Sequence, residues 1–183
     1  LDLEQPGLRE HTLVVYWTDH GDWLGDHGLI LKGPMAYEGL LRVGLQFQGP
    51  GVPKSKIVDH PVSTLDLSAT FADFAGVAFE KRHSSSLKNL IQKDGSRDFA
   101  YSEWDLRSSR SGVDLDLRIV RTKRHKLTLD LRSGAGELYD LYDDPHEMSN
   151  LFGRNVPAQK ELTAMIHSRP ADAMLRLPQV GMA

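Results

Sequence analysis

Five apolar and aromatic residues in a row, Leu13-Val14-Val15-Tyr16-Trp17, run directly into Thr18-Asp19-His20-Gly21. The run is too short for a typical helix and rich in β-branched and aromatic side chains. That predicts a strand buried on both faces, of the kind found in parallel sheets. Ligand-type residues cluster just past its carboxyl end: Asp19, His20, Asp22, Asp26 and His27, with Gly21, Gly25 and Gly28 between them. In open α/β sheets, ligands bind at that edge. Asp19 and His20 are adjacent, so in a continuing strand they would point to opposite faces. For both to reach one ion the backbone must turn, and Gly21 lowers the cost of turning. The pattern predicts half of a metal site.

The rest of the chain divides by pattern. Lys32-Gly33-Pro34 breaks regular structure, residues 35–41 suit a short helical turn, and residues 43–47 a second strand ended by Gly49-Pro50-Gly51. Ile57-Val58 suggests a short edge strand. Ser63 or Thr64 can cap a helix in which Leu67, Thr70, Phe71, Phe74 and Ala75 follow helical spacing and Gly76 marks the stop; it should pack on a sheet face. A shorter helix is expected around Leu87, Leu90 and Ile91. From residue 97 the pattern becomes short strands with turns, at 99–104, 115–122, 126–131 and 137–141, a four-stranded antiparallel meander. Pro157 opens a final helix to residue 166 with Leu162, Met165 and Ile166 on one stripe, and residues 170–183 read as a tail packing on a neighbour. Two units are expected, an α/β part over 1–95 and a small antiparallel-sheet part over 96–183.

The stretch from Thr18 to Gly51 resembles the sulfatases of the alkaline phosphatase superfamily, in their branch with phosphonate and phosphate ester hydrolases. The matching elements are Thr18-Asp19-His20-Gly21, Asp22, Gly25-Asp26-His27-Gly28, Lys32, Tyr37-Glu38, Arg42-Val43 and Pro50-Gly51. Gly44 departs from the proline usual after Arg-Val. The carboxyl-terminal signature of the same family appears as Arg121, Lys126, Glu137-Leu138-Tyr139-Asp140-Leu141, Asp144-Pro145, Glu147 and Asn150-Leu151. The resemblance implies an α/β fold, the last strands of a central mixed sheet followed by a small antiparallel sheet and a terminal helix. It also implies that Asp19 and His20 are metal ligands and that Lys32, thirteen residues beyond Asp19, holds the sulfate or phosphate group. A carboxylate favours hard ions and an imidazole shifts the choice toward softer ones, so Ca²⁺ and Mn²⁺ lead over Mg²⁺ and Zn²⁺. The substrate implied is a small sulfate, phosphate or phosphonate ester.

Those enzymes use a formylglycine nucleophile made from Cys or Ser in a Cys/Ser-x-Pro-x-Arg segment. Here there is no cysteine, and Ser63-Thr64 and Ser84-Ser85-Ser86 lack the Pro and Arg. The 183 residues begin without Met, immediately ahead of the first strand. The expectation is the carboxyl-terminal portion of a longer enzyme, inactive in isolation. The alternative is a stand-alone half-domain acting in assembly or binding, with self-association across the sheet edge that missing strands would leave open.

A net charge of −3 gives no electrostatic argument for nucleic acid or an anionic membrane. No apolar run approaches the roughly 20 residues that span a bilayer, and the lack of cysteine fits a reducing cytoplasm. Nucleotide-phosphate, zinc-protease, EF-hand and serine-esterase motifs are absent. Asp22, Asp26 and His27 are expected to shape the loop, Arg42 to pair with Glu38 at i, i+4, and Lys81-Arg82-His83 to form a solvated run. Glu103, Trp104 and Arg110 are expected in packing or at the surface rather than in a substrate pocket. His11, His125, His146 and His167 have no ligand partners nearby in sequence.

Overall fold

The computed structural model describes residues 7–80, 83–106 and 112–169. Two antiparallel sheets carry the architecture. The first pairs β1 (Val14–Trp17) with β2 (Leu45–Gln48), with Val15 opposite Phe47 and Trp17 opposite Leu45. Residues directly opposite share a face, so Val15, Trp17, Leu45 and Phe47 form the inner face, and Val14, Tyr16, Gln46 and Gln48 the outer one. Leu45 and Phe47 pack on Leu87, Leu90 and Ile91 of α3 (Lys88–Gln92) and its preceding turn, together with Phe74 of α2 (Asp66–Phe74). Trp17 meets Phe71 of α2 edge-on at 6.4 Å between centroids. The outer face is open, with Tyr16 71% exposed.

This corrects the expectation of a doubly buried, parallel-type strand. β1 has the composition of one, but its only ladder among the described residues is antiparallel, and only one face is covered. Ile57 and Val58 form no strand either; Ile57 stands exposed in an irregular segment. At α2, the carboxylate of Asp66 reaches back to the Ser63 N–H at 3.0 Å while the Ser63 hydroxyl accepts from Leu65 N–H at 3.3 Å. Asp66 is itself fully buried, holding Arg97 at 2.7 Å and the Ser85 N–H at 2.9 Å, so it locks the helix start to the chain beyond it.

The second sheet runs in the order β3 (Phe99–Leu106), β4 (Leu115–Thr122), β5 (His125–Asp130), β6 (Gly136–Asp140), the expected meander. One face meets α4 (Pro157–His167), where Val120, Leu127, Leu129 and Leu138 enclose Leu162 and Ile166. The other face meets the loop that follows β1: Leu117 and Ile119 pack on Ala36, and Tyr139 packs with Trp23, Tyr37 and Leu40. Covering both faces explains why β4 and β5 are buried almost continuously instead of alternating. Doubly buried strands do occur in this molecule, then, but in the antiparallel meander.

Candidate active site

The candidate site starts where β1 ends. The Asp19 carboxylate accepts the backbone N–H of His20 at 3.0 Å, and the Thr18 hydroxyl lies 3.0 Å from the His20 carbonyl, closing a tight polar turn. The next residue must be glycine for a steric reason stronger than conformational freedom. A Cβ on Gly21 would stand 2.0 Å from the Gly39 carbonyl oxygen. That close approach lets the Gly21 N–H donate to the Leu40 carbonyl at 2.8 Å, fastening the turn to α1 (Glu38–Leu41).

Residues 22–33 form a compact loop that returns the chain to its start. Trp23 N–H donates to the Leu31 carbonyl at 3.1 Å and Gly25 N–H to the Leu29 carbonyl at 2.8 Å. Trp23, buried against Tyr37, Leu40 and Tyr139, pins the loop. A Cβ on Gly33 would press into the Trp23 ring at 2.7 Å, so only glycine lets the chain pass there. Leu24, His27 and Leu31 take left-handed backbone conformations, each costing on the order of 1–3 kcal/mol. Closure places Lys32 Nζ 2.9 Å from His20 Nε2.

Asp19, His20 and Lys32 therefore converge. The Gly21 carbonyl, 2.7 Å from His20 Nδ1, can only accept, so the ring proton sits on Nδ1 and the Nε2 lone pair faces the site. That is the tautomer a metal-binding imidazole needs; here the lone pair accepts from the Lys32 ammonium. Asp19 Oδ2 lies 3.6 Å from His20 Nε2, close to the roughly 3–3.4 Å expected between neighbouring ligands of one ion bound at about 2.1–2.4 Å. The Asp19 carboxyl is held below the usual carboxylate range, first by the His20 N–H and also by the Thr18 hydroxyl. It stays anionic where a cation would need it. The donors fit two positions of a coordination shell. Among the described residues no group of three or more His, Cys, Asp or Glu gathers to complete one.

The remaining candidates fall elsewhere. The Asp22 carboxylate accepts Leu24 N–H at 2.8 Å, and the His27 ring stacks on Tyr37, both shaping the loop. Glu38 does not pair with Arg42: it turns inward to Arg121 at 3.5 Å and Lys126 at 3.6 Å, partners more than eighty residues away that helical spacing cannot reveal. Glu103 pairs with Arg118 and Arg169, and Trp104 packs against the clusters around Tyr37 and Ile119, which gives both structural contacts. Lys81, Arg82, Arg110 and residues 170–183 lie outside the described residues. Sequence reasoning missed the junction of Glu38, Lys126 and Glu147. All three belong to the quoted motifs, and opposite charges recurring in motifs far apart in sequence were the available signal. A cleft of about 670 Å³ opens beside the turn, bordered by Asp19, His20, Trp17, His60 and Arg121.

Over residues 25–174 the chain matches the family described as N-sulphoglucosamine sulphohydrolase, C-terminal. It is 38% identical over 149 residues to Delta 4,5-hexuronate-2-O-sulfatase of Bacteroides thetaiotaomicron, covering 77% of this chain and 30% of that protein. A protein solved in complex with its substrate, D-glucosamine-2-N,6-O-disulfate, superposes with a TM-score of 0.73 at 30% identity, covering 90% of this chain and 35% of that one. The phosphonate monoester hydrolase of Silicibacter pomeroyi shares the fold, with a TM-score of 0.72 at 24% identity over 90% of this chain and 35% of that one. The chain belongs to the sulfatase family and corresponds to its carboxyl-terminal part. It spans about a third of the length of these relatives.

Proposed function

We propose that this chain forms the later part of a metal-dependent sulfate ester hydrolase, in which Asp19 and His20 hold a divalent cation and Lys32 holds the transferred group. The convergence of a carboxylate, a lone-pair imidazole nitrogen and an ammonium at the end of β1 carries the reading. A bound Ca²⁺ or Mn²⁺ would polarise an ester oxygen and neutralise its charge. Lys32 would move off His20 and lie against the sulfuryl oxygens, stabilising charge that builds on the leaving oxygen. Asp19, kept anionic by the His20 N–H, and His20, kept in one tautomer by the Gly21 carbonyl, would present fixed donors without rearrangement. The nucleophile of this reading is a formylglycine outside these 183 residues, so the chain alone should not turn over.

Sulfated sugars are the substrate class we favour over phosphate or phosphonate esters. Of the two named relatives at 30% identity or more, one is named for a 2-O-sulfated hexuronate and the other is bound to a glucosamine disulfate, while the phosphonate monoester hydrolase is 24% identical. A second reading, a half-domain working in assembly, is favoured by one observation: the apolar outer face of β1 is open. The two separate on Mn²⁺ titration followed by electron paramagnetic resonance. Saturable binding weakened at least tenfold by Asp19→Asn and by His20→Ala supports the hydrolase. Binding unchanged by both would sink the metal site and leave assembly.

A further inference from the structure

We infer that the buried Lys126–Glu147 pair is a positioning device that sets the Asp19–His20 turn from the opposite end of the chain. The inference rests on reading that turn as the active site. Lys126 is 1% exposed and Glu147 3% exposed, and they form an ion pair under α1. Neither charge is used only on the other. Lys126 Nζ donates to the Ala36 carbonyl at 2.5 Å, and Glu147 Oε2 accepts the Glu38 N–H at 2.6 Å. The pair thus grips two backbone groups two residues apart, at the entry of α1, while Glu38 Oε1 lies 3.6 Å from the same ammonium.

From there the contacts run straight to the site. α1 carries Gly39, whose carbonyl lies where a Gly21 Cβ would be, and Leu40, whose carbonyl accepts the Gly21 N–H at 2.8 Å. The Gly21 carbonyl in turn fixes His20 Nδ1 at 2.7 Å. A shift of α1 along its axis would move Gly21 with it, because backbone touches backbone with no side chain between to absorb the change. Stability alone does not explain the pair: buried ion pairs replaced by apolar residues of similar size are often neutral or stabilising. An apolar pair would fill the volume but leave the Ala36 carbonyl and the Glu38 N–H without partners. What the pair adds is placement of α1, through its hydrogen bonds to the Ala36 carbonyl and the Glu38 N–H. Glu147 holds its own position in a left-handed conformation that few residues other than glycine adopt readily.

The test is native-state amide hydrogen exchange by NMR on the whole metal-free 183-residue chain. The double variant Lys126→Met with Glu147→Met should lower the urea midpoint, because the Ala36 carbonyl and the Glu38 N–H lose their partners, and it should speed exchange of the Gly21 amide at least tenfold more than exchange of the Leu162 amide in α4. Glu147→Gln alone, which keeps an acceptor for the Glu38 N–H, should leave Gly21 exchange within threefold of the parent. A rise at Gly21 no larger than that at Leu162 in the double variant overturns the inference, as does a rise at Gly21 tenfold above that at Leu162 in Glu147→Gln. If the double variant does not fold, the parent decides. Gly21 and Glu38 should share one protection factor across denaturant, and a Gly21 amide a hundredfold less protected than Glu38 overturns the idea. Because no metal is present, this outcome is independent of whether Asp19→Asn weakens Mn²⁺ binding, which tests the hydrolase reading itself.

Discussion

The two sheets of this molecule use similar residues to opposite effect. The four-stranded sheet has α4 on one face and the site loop on the other, and its central residues Val120, Leu127 and Leu138 are wholly buried. The two-stranded sheet has α2 and α3 on its inner face and nothing described on its outer face. A pair of strands alone is marginal in water, yet this pair launches Asp19 and His20. The comparison teaches where the site's rigidity comes from. The turn gains little from the strand that precedes it and much from α1, which the second sheet holds.

The largest way to break the contrast is a cavity in the second sheet. Leu138→Ala removes a fully buried β6 side chain from the core that the sheet forms with α4 and should cost about 2–5 kcal/mol in urea unfolding. Tyr16→Thr, on the open face of β1, should cost within about 0.5 kcal/mol in the same assay and should reduce any self-association seen by sedimentation. An equal cost at both positions would mean that the outer face of β1 is covered in solution.

A subtler probe uses acid. The Asp130 carboxyl is pulled down to about 2, chiefly by the Ser133 hydroxyl, and also by the Asp116 N–H of β4 and the Arg132 and Ser133 N–H groups of the β5–β6 turn. Its folded value lies below its ordinary one, so the stability it contributes is fully present above about pH 4 and is lost as pH falls toward 2. The urea midpoint should decline over that window, and Asp130→Asn should flatten part of the decline. The part of the decline that Asp130→Asn removes therefore reports on the second sheet.

Much of the second sheet is legible in the sequence. The strands fall within two residues of their expected bounds, because hydrophobic runs there are punctuated by turns such as Thr122–His125 and Ser133–Gly136, whose side chains bond their own backbone. The ends of α4 follow Pro157 and the Leu162–Ile166 stripe for the same local reason. Asp19, His20 and Lys32 could be placed near one another from their motif, and the loop closure that brings Lys32 to His20 accords with it. What stayed hidden is long-range. Val14-Val15-Tyr16-Trp17 has the composition of a strand covered on both faces, and composition says nothing about whether a cover is present. Glu38 has Arg42 one helical turn away, while its actual partners Arg121 and Lys126 arrive from the far sheet. Gly21 signals a turn in any sequence; that it is needed because Gly39 lies against it appears only in three dimensions.

The bond from the Glu38 N–H to Glu147 spans 109 residues, and it bears on the order in which the protein can be finished. Local pieces, the meander hairpins and the Trp23 loop, can form from neighbours in sequence. Closing a connection this long carries a larger entropic cost and belongs to the slow, non-local part of folding. On a ribosome, residue 147 emerges long after residues 18–32. Whatever their early conformation, those residues can receive their final anchorage only when the carboxyl-terminal motif arrives, so the part of the candidate site that is made first is completed last.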